Sequence, residues 1–280
     1  MAMSYVTWEI SSSCNMDCGF CFSDWRENPN QLSTSKAREV IDFLCSHDVD
    51  ALSFTGGEPL LRPDLGELVK YAKRKGLVTI LTTNGILLKE RLPEFAQYLD
   101  FVALPLDSSE EAVHNSMRNM PGASHYSHVL GLVDMINEGY KGIGVKINTL
   151  VSKKNISSVA GLGRLLEGKV VGWKLSHFIP YGFGEGHREE YELPEGQFSK
   201  LAEACRKDYP HLNIIAPQPH SLDDACRVIS SEGHLFRATQ DGLKDLGKLL
   251  ELSEQQILEG FNEKLNLKHL KITYLGEPRC

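Results

Sequence analysis

Long hydrophobic runs are missing. Nowhere in the 280 residues does an apolar stretch approach the roughly 18 needed for a membrane-spanning helix, which excludes a helical membrane bundle. A basic surplus is missing too: the net charge is −7 at neutral pH, which disfavours nucleic-acid polymers as partners, while a local basic pocket for a small anion stays compatible. Internal repeats and low-complexity tracts are absent. The opening residues Met1–Ile10 carry neither a basic flank nor a long apolar core, so they do not read as a leader peptide, and the expected address is cytoplasmic with no membrane partner. What remains is ordinary for a soluble globular chain, with 41% hydrophobic and 24% charged residues. The length suits one domain, or a core of about 200 residues with an appendage. Seven cysteines, an odd number in a reducing compartment, point to metal binding or catalysis rather than disulfides.

The apolar pattern alternates between short strands and longer helices, which predicts repeated βα units. A first strand over Ser4–Ile10 leads into a cysteine-bearing loop. A helix follows over Thr34–Ser46, with Ala37, Val40, Ile41 and Leu44 at helical spacing and Ser33 as its N-cap. Further strands are predicted at Ala51–Thr55, Val78–Thr82, Phe101–Leu106, Gly144–Leu150 and Val171–Ile179. This alternation implies an α/β chain whose parallel sheet is open or curled into a partial barrel. Residues 1–185 are expected to form it and residues 186–280 to cap it. That second part begins in a Gly- and Glu-rich loop from Tyr181 to Gly196. A helix over Glu195–Lys207 follows, then β segments at Ala225–Ile229 and Leu235–Ala238 and a polar tail.

Cys14, Cys18 and Cys21 place three thiols within eight residues, directly after the first strand. Three thiolates on a cubane iron–sulfur cluster leave one iron open to a chelating ligand; a zinc knot completed by a distant ligand, or plain burial, are the alternatives at this point. The second predicted strand then runs into Gly56-Gly57-Glu58-Pro59, where glycines let backbone approach a ligand closely and a carboxylate can pair with an ammonium. Together, C-x3-C-x2-C and GGEP resemble the radical SAM superfamily over roughly Ser4 to Tyr181. The resemblance implies a partial (β/α)6 barrel of that type. It also implies a 4Fe-4S cluster on Cys14, Cys18 and Cys21, and S-adenosylmethionine (SAM) beside Gly56, Gly57, Glu58 and Pro59. It places Phe20 by the adenine, Thr83, Asn84 and Gly85 at the ribose or carboxylate, and Asn148 and Phe178 around the nucleoside. A flavodoxin- or ferredoxin-like donor would supply the electron that breaks the sulfur–5′ carbon bond, giving methionine and a 5′-deoxyadenosyl radical.

Strand alternation turns Lys146 and Asn148 inward, opposite Val145 and Ile147, and Lys174 likewise in Trp173-Lys174-Leu175. Buried ammonium groups demand an acidic partner or a bound anion, and Glu9, also inward, is one candidate partner. Arg118 follows the fourth strand at the rim where barrel sites are built; a solvated helix end is its alternative. Two lysines and an arginine suit a phosphorylated substrate. Further stretches are similar to the viperin-like branch: Cys14–Phe22, Thr82–Leu99, Leu106-Asp107-Ser108, Lys146-Ile147-Asn148, Trp173-Lys174 and Gly260–Lys264. That likeness implies dehydration of a nucleoside triphosphate, typically CTP, by abstraction of the ribose 4′ hydrogen and loss of the 3′ hydroxyl. Arg118, Lys146 and Lys174 would hold the triphosphate. The chain departs from the branch at Glu9, not acidic there, and at Cys226, where viperins carry a tyrosine thought to donate a hydrogen; a thiol is a competent substitute donor. A radical SAM enzyme acting on a peptide, sugar or cofactor precursor is the alternative, and a non-catalytic iron–sulfur or zinc module a lesser one. Cys45 and Cys205 read as packing residues.

Overall fold

The computed structural model describes residues 5–23, 30–118, 123–217, 227–239, 242–253 and 255–257. Six strands follow one another across the sheet in chain order: β1 (Tyr5–Ser11), β2 (Ala51–Gly56), β3 (Val78–Thr82), β4 (Phe101–Pro105), β5 (Gly144–Val151) and β6 (Gly172–His177), each parallel to the next. Their alternation has a direct cause. In β1, Val6, Trp8 and Ile10 are wholly buried while Tyr5, Thr7 and Glu9 are only partly so, the period of two that a pleated strand imposes. Between strands run α1 (Thr34–Ser46), α2 (Leu65–Arg74), the single turn α3 (Leu88–Arg91), α4 (Glu111–Met117), α5 (His125–Gly139), α6 (Ile156–Val159) and α7 (Leu162–Leu166). Helix α1 has the predicted bounds: it buries Ala37, Val40, Ile41 and Leu44, and the Ser33 side chain caps it by accepting from the Lys36 amide. This is a partial (β/α)6 barrel.

The segment expected as a loop between Tyr181 and Gly196 is more ordered than its composition suggests. It holds a 3₁₀ turn, Gly182–His187, and α8 (Arg188–Tyr191), because Tyr191 is buried at 3% exposure and draws the charged residues around it into helix. Helix α9 (Gln197–Asp208) then buries Phe198, Ala202 and Cys205. The later chain extends both edges of the sheet. Strand β7 (Ile214–Ile215) pairs with β6, while β8 (Arg227–Ile229) lies parallel to β1 and carries β9 (His234–Thr239) and β10 (Gly242–Lys248) antiparallel outside it. No helix among the described residues is long and apolar enough to cross a membrane.

One buried guanidinium ties both ends of the cysteine-bearing segment to this frame. Arg62, 2% exposed, donates from Nη1 to the Ile10 carbonyl at the end of β1 (2.9 Å) and from Nη2 to the Leu32 carbonyl just before α1 (2.9 Å). Its charge is balanced by Asp64, whose carboxylate accepts from Arg62 Nε at 2.7 Å and from Thr34 Oγ1 at 2.6 Å. Burial pushes the Asp64 carboxyl up, but the bonds from Arg62 and Thr34 outweigh it and hold the group below its ordinary value.

Removing a buried charge partner leaves uncompensated polar groups, so Arg62→Ala is expected to cost about 3–5 kcal/mol, read from the urea unfolding midpoint. A folded-state value below the unfolded one contributes stability above the unfolded value and loses it as the pH falls through the folded one. Asp64→Asn should therefore lower stability at neutral pH, and the gap to the parent should close in strong acid; a gap independent of pH would contradict the pairing.

Candidate active site

The cysteine loop leaves the end of β1 and is at once clamped by the end of β2. The Gly57 amide donates to Ser11 O at 3.0 Å and the Glu58 amide to Ser13 O at 2.7 Å. A Cβ at Gly56, which sits at φ +143°, would lie 2.6 Å from Ser11 O, and one at Gly57 would lie 2.2 Å from Ser13 O. The close approach that the sequence suggested toward a ligand is thus made toward the chain entering the cysteine loop, and only glycine permits it. Within the loop, the Cys21 amide turns back onto Cys18 O at 3.1 Å, and the Met16 amide donates to Cys14 Sγ at 3.4 Å.

The three thiols are partly buried and close enough to influence one another electrostatically. Burial pushes both the Cys14 and the Cys18 thiol up, although the Met16 amide works against this at Cys14 and Arg118 works against it at Cys18. Without metal they are therefore protonated, and iron would displace the protons on binding. The donor set fits a 4Fe-4S cluster: three sulfurs on one loop, exposed enough to be reached, with a guanidinium beside Cys18.

Glu58 is wholly buried, and its carboxylate is used inside the protein. Oε1 accepts from Thr83 Oγ1 at 2.6 Å and from the Leu60 amide at 3.0 Å; Oε2 accepts from the Asn84 amide at 2.8 Å. Burial pushes this carboxyl up, and the three donors work against that. Glu58 thus joins the loop after β2 to the loop after β3, with both carboxylate oxygens bonded inside the protein. Thr83, also buried, accepts from the Gly85 amide at 3.0 Å as it donates to Glu58, while the Asn84 side chain stays partly open. Asn84 Nδ2 reaches Asn15 Oδ1 at 2.7 Å and stands 4.0 Å from Cys14 Sγ.

Phe20 and Phe178, which the family resemblance places around the nucleoside, come together through a residue that the sequence did not single out. Tyr191 packs on both rings, at 5.7 Å and 5.5 Å between centroids, and Met117 completes the cluster. The Gly184 amide donates to Cys21 O at 2.9 Å, so the 182–191 segment is seated against the cysteine loop. Nothing in the local composition of this charged, glycine-rich segment announces such a role. Arg118 is neither solvated nor near the lysines in any described contact. Its Nε donates to Asp107 Oδ2 at 2.6 Å, its guanidinium lies 4.9 Å from the Phe20 ring centre, and it acts on Cys18. Burial pushes the Asp107 carboxyl up, and Arg118 outweighs it and holds the group below its ordinary value.

Lys146, Asn148 and Lys174 share one face of β5 and β6, since Lys146 is in register with Gly172 and Asn148 with Lys174. Burial, helped by the Lys174 charge, pushes Lys146 down to about 8. On the β1 side, a cavity of about 240 Å³ is lined by Glu9, Phe22, Tyr181, Glu232, His234 and Asp245 among others. Cys226 and the Gly260–Lys264 stretch lie outside the described residues. Cys205 is wholly buried and burial pushes it up to about 11, as a packing residue should be.

Residues 8–162 match the family model of the radical SAM superfamily. The chain is 31% identical over 192 residues to an AdoMet-dependent heme synthase of Nitratidesulfovibrio vulgaris, covering 65% of this chain and 50% of that one. It is 25% identical over 270 residues to an S-adenosylmethionine-dependent nucleotide dehydratase of Flammeovirga pacifica, covering 92% and 91%. The chain thus spans half the length of the first relative and nearly all of the second. Among solved structures, Streptococcus suis SuiB bound to its precursor peptide SuiA shares the fold, with a TM-score of 0.70 at 17% identity over 84% of this chain and 59% of that one. With the cysteine loop, the glycine clamp and the barrel in agreement, the chain belongs to the radical SAM superfamily, whose 4Fe-4S cluster and S-adenosylmethionine are its cofactors.

Proposed function

We propose that this radical SAM enzyme dehydrates a nucleoside triphosphate, removing the ribose 4′ hydrogen and the 3′ hydroxyl to leave a 3′-deoxy-3′,4′-didehydro nucleotide. The observation that carries the reading is the lysine pair. Lys146 and Lys174 stand on one face, close enough for the second to disfavour the charge of the first, and a bound polyphosphate relieves that repulsion with several strong acceptors. Similarity to a nucleotide dehydratase along nearly the whole of both chains supports it.

When bound, the cluster and S-adenosylmethionine supply the hydrogen-abstracting 5′-deoxyadenosyl radical, fed by an electron from a flavodoxin- or ferredoxin-like donor. The chain's own residues orient and enclose. Cys14, Cys18 and Cys21 hold the metal. Phe20, Phe178 and Tyr191 form an apolar wall that excludes water from the cofactor's nucleoside. Lys146 and Lys174 anchor the triphosphate so that the ribose is held toward the cysteine loop, the kind of positioning that suppresses side reactions. At the other end, the cavity beside β1 is lined by the carboxylates of Glu9, Glu232 and Asp245 and by the rings of Phe22 and Tyr181, which pack on each other with centroids 5.0 Å apart. That lining suits a base with an exocyclic amine better than uracil.

Anaerobically reconstituted protein given S-adenosylmethionine, dithionite and one nucleoside triphosphate at a time should form 5′-deoxyadenosine faster with its substrate, which loses the mass of one water. CTP is expected to lead and UTP to trail. Equal, slow cleavage with all four and no change in nucleotide mass would end the substrate assignment. Lys146→Ala should keep the slow, substrate-independent cleavage. Its half-saturating nucleotide concentration should rise by about 10- to 100-fold, the scale of a lost charge-assisted hydrogen bond; an unchanged value would make that lysine structural.

A further inference from the structure

Two histidines with no part in the site as described, His114 and His125, lie wholly buried beneath it. Their rings are parallel to within 4°, with centroids 5.1 Å apart. The protons in this pair follow from one bond. The Asp107 backbone amide can only donate, and it donates to His114 Nδ1 at 3.0 Å, so the neutral His114 ring carries its proton on Nε2. That Nε2–H points at His125 Nδ1, 2.8 Å away, which must accept; the His125 proton is then on Nε2, and it goes to the Asn84 carbonyl at 2.8 Å. Direction is forced at every link: Asp107 amide, His114, His125, Asn84 carbonyl. Burial pushes His114 down to about 3 and His125 down to about 4, so both rings are neutral around physiological pH, as the relay requires. One helical turn on, His128 Nε2 meets the Gly85 carbonyl at 3.0 Å, so the first turn of α5 holds two consecutive carbonyls of the turn after β3.

Both ends of the relay reach the cysteine loop. Asp107 holds Arg118 against the Cys18 side. Asn84 holds Asn15 and stands beside Cys14. We propose that His125 is a positioning residue for S-adenosylmethionine: through its bond to the Asn84 carbonyl it sets the Asn84 peptide and side chain at the cofactor, in register with the Asp107–Arg118 pair. The proposal rests on Asn84 meeting the cofactor and not on the identity of the substrate, so its test contains no nucleotide.

Two substitutions separate the links. In His125→Asn the short amide keeps an acceptor for His114 but does not reach Asn84; in His125→Gln the longer amide keeps a donor at the reach of Nε2. Reconstituted variants are compared for iron content, unfolding midpoint, dissociation constant for S-adenosylmethionine, and the change in the reduced cluster's electron paramagnetic resonance spectrum when it is added. Expected are full iron loading in both, cofactor affinity about tenfold weaker with an altered spectrum in His125→Asn, and affinity within about threefold of the parent in His125→Gln. Parental affinity in His125→Asn, or equal losses in the two variants, would reduce His125 to a packing residue and overturn the proposal. Imidazole ¹⁵N resonances of the unsubstituted apoprotein test the relay independently of how any variant folds: both rings should be neutral Nε2–H tautomers at pH 7, and a Nδ1–H tautomer or a cationic ring would overturn it.

Discussion

Backbone pressed against backbone at Gly56–Gly57 and Ser11–Cys14 is the contact on which the rest of the site depends. The end of β2 donates two amides to the chain entering the cysteine loop, and no residue with a side chain could come so near. That clamp sets where the first thiol emerges from the sheet. Arg62 holds the same segment at both ends, through the Ile10 and Leu32 carbonyls, and the Ser231 carbonyl after β8 accepts from the Leu32 amide. The cysteine-bearing segment, whose described residues 12–23 form no helix or strand, is thereby tied to the barrel at both ends, which a precisely placed reactive group requires.

A buried carboxylate then passes order from strand to strand. Glu58 collects Thr83 and Asn84 at the end of β3, while Asp107, at the end of β4, collects Arg118 and the Leu150 amide at β5. Between them runs the histidine pair. The strand ends on this side of the sheet are therefore linked by directional hydrogen bonds, Glu58 held by three neutral donors and Asp107 by the Arg118 cation, which is how a polar rim can be buried without destabilising the fold. Charged groups away from this rim divide by side. Lysines stand on β5 and β6, and carboxylates line the cavity beside β1. A substrate lying across the barrel would meet cations at one end and acceptors at the other.

Much of this was legible in the sequence, for reasons particular to each element. The strands could be located because alternation such as Val6, Trp8, Ile10 is imposed by the pleat, and α1 because its apolar spacing and Ser33 cap are local signals. The cysteine triplet and Gly56-Gly57-Glu58-Pro59 are contiguous, so their chemistry could be read without a fold. The loop assigned to Tyr181–Gly196 failed because Tyr191 takes its helical turn from the Phe20 and Phe178 rings, which lie far from it in sequence. That Glu58 is buried against Thr83 and Asn84 was not legible for the same kind of reason: those partners come from a different βα unit.

Local order along the chain was enough to establish the alternation of strands and helices, the thiol spacing, and the placing of Lys146 and Lys174 on the strand face opposite their apolar neighbours, since each depends only on near neighbours and a repeating backbone geometry. Tertiary structure alone decided that Arg118 turns to Asp107 and Cys18, that Tyr191 covers Phe20, that β8 lies beside β1, and that His114 and His125 meet edge to edge in a relay toward Asn84. Those outcomes are contacts between remote segments. Which donor finds which acceptor depends on how strands register and helices dock, a choice made by packing in three dimensions and not by the residues on either side.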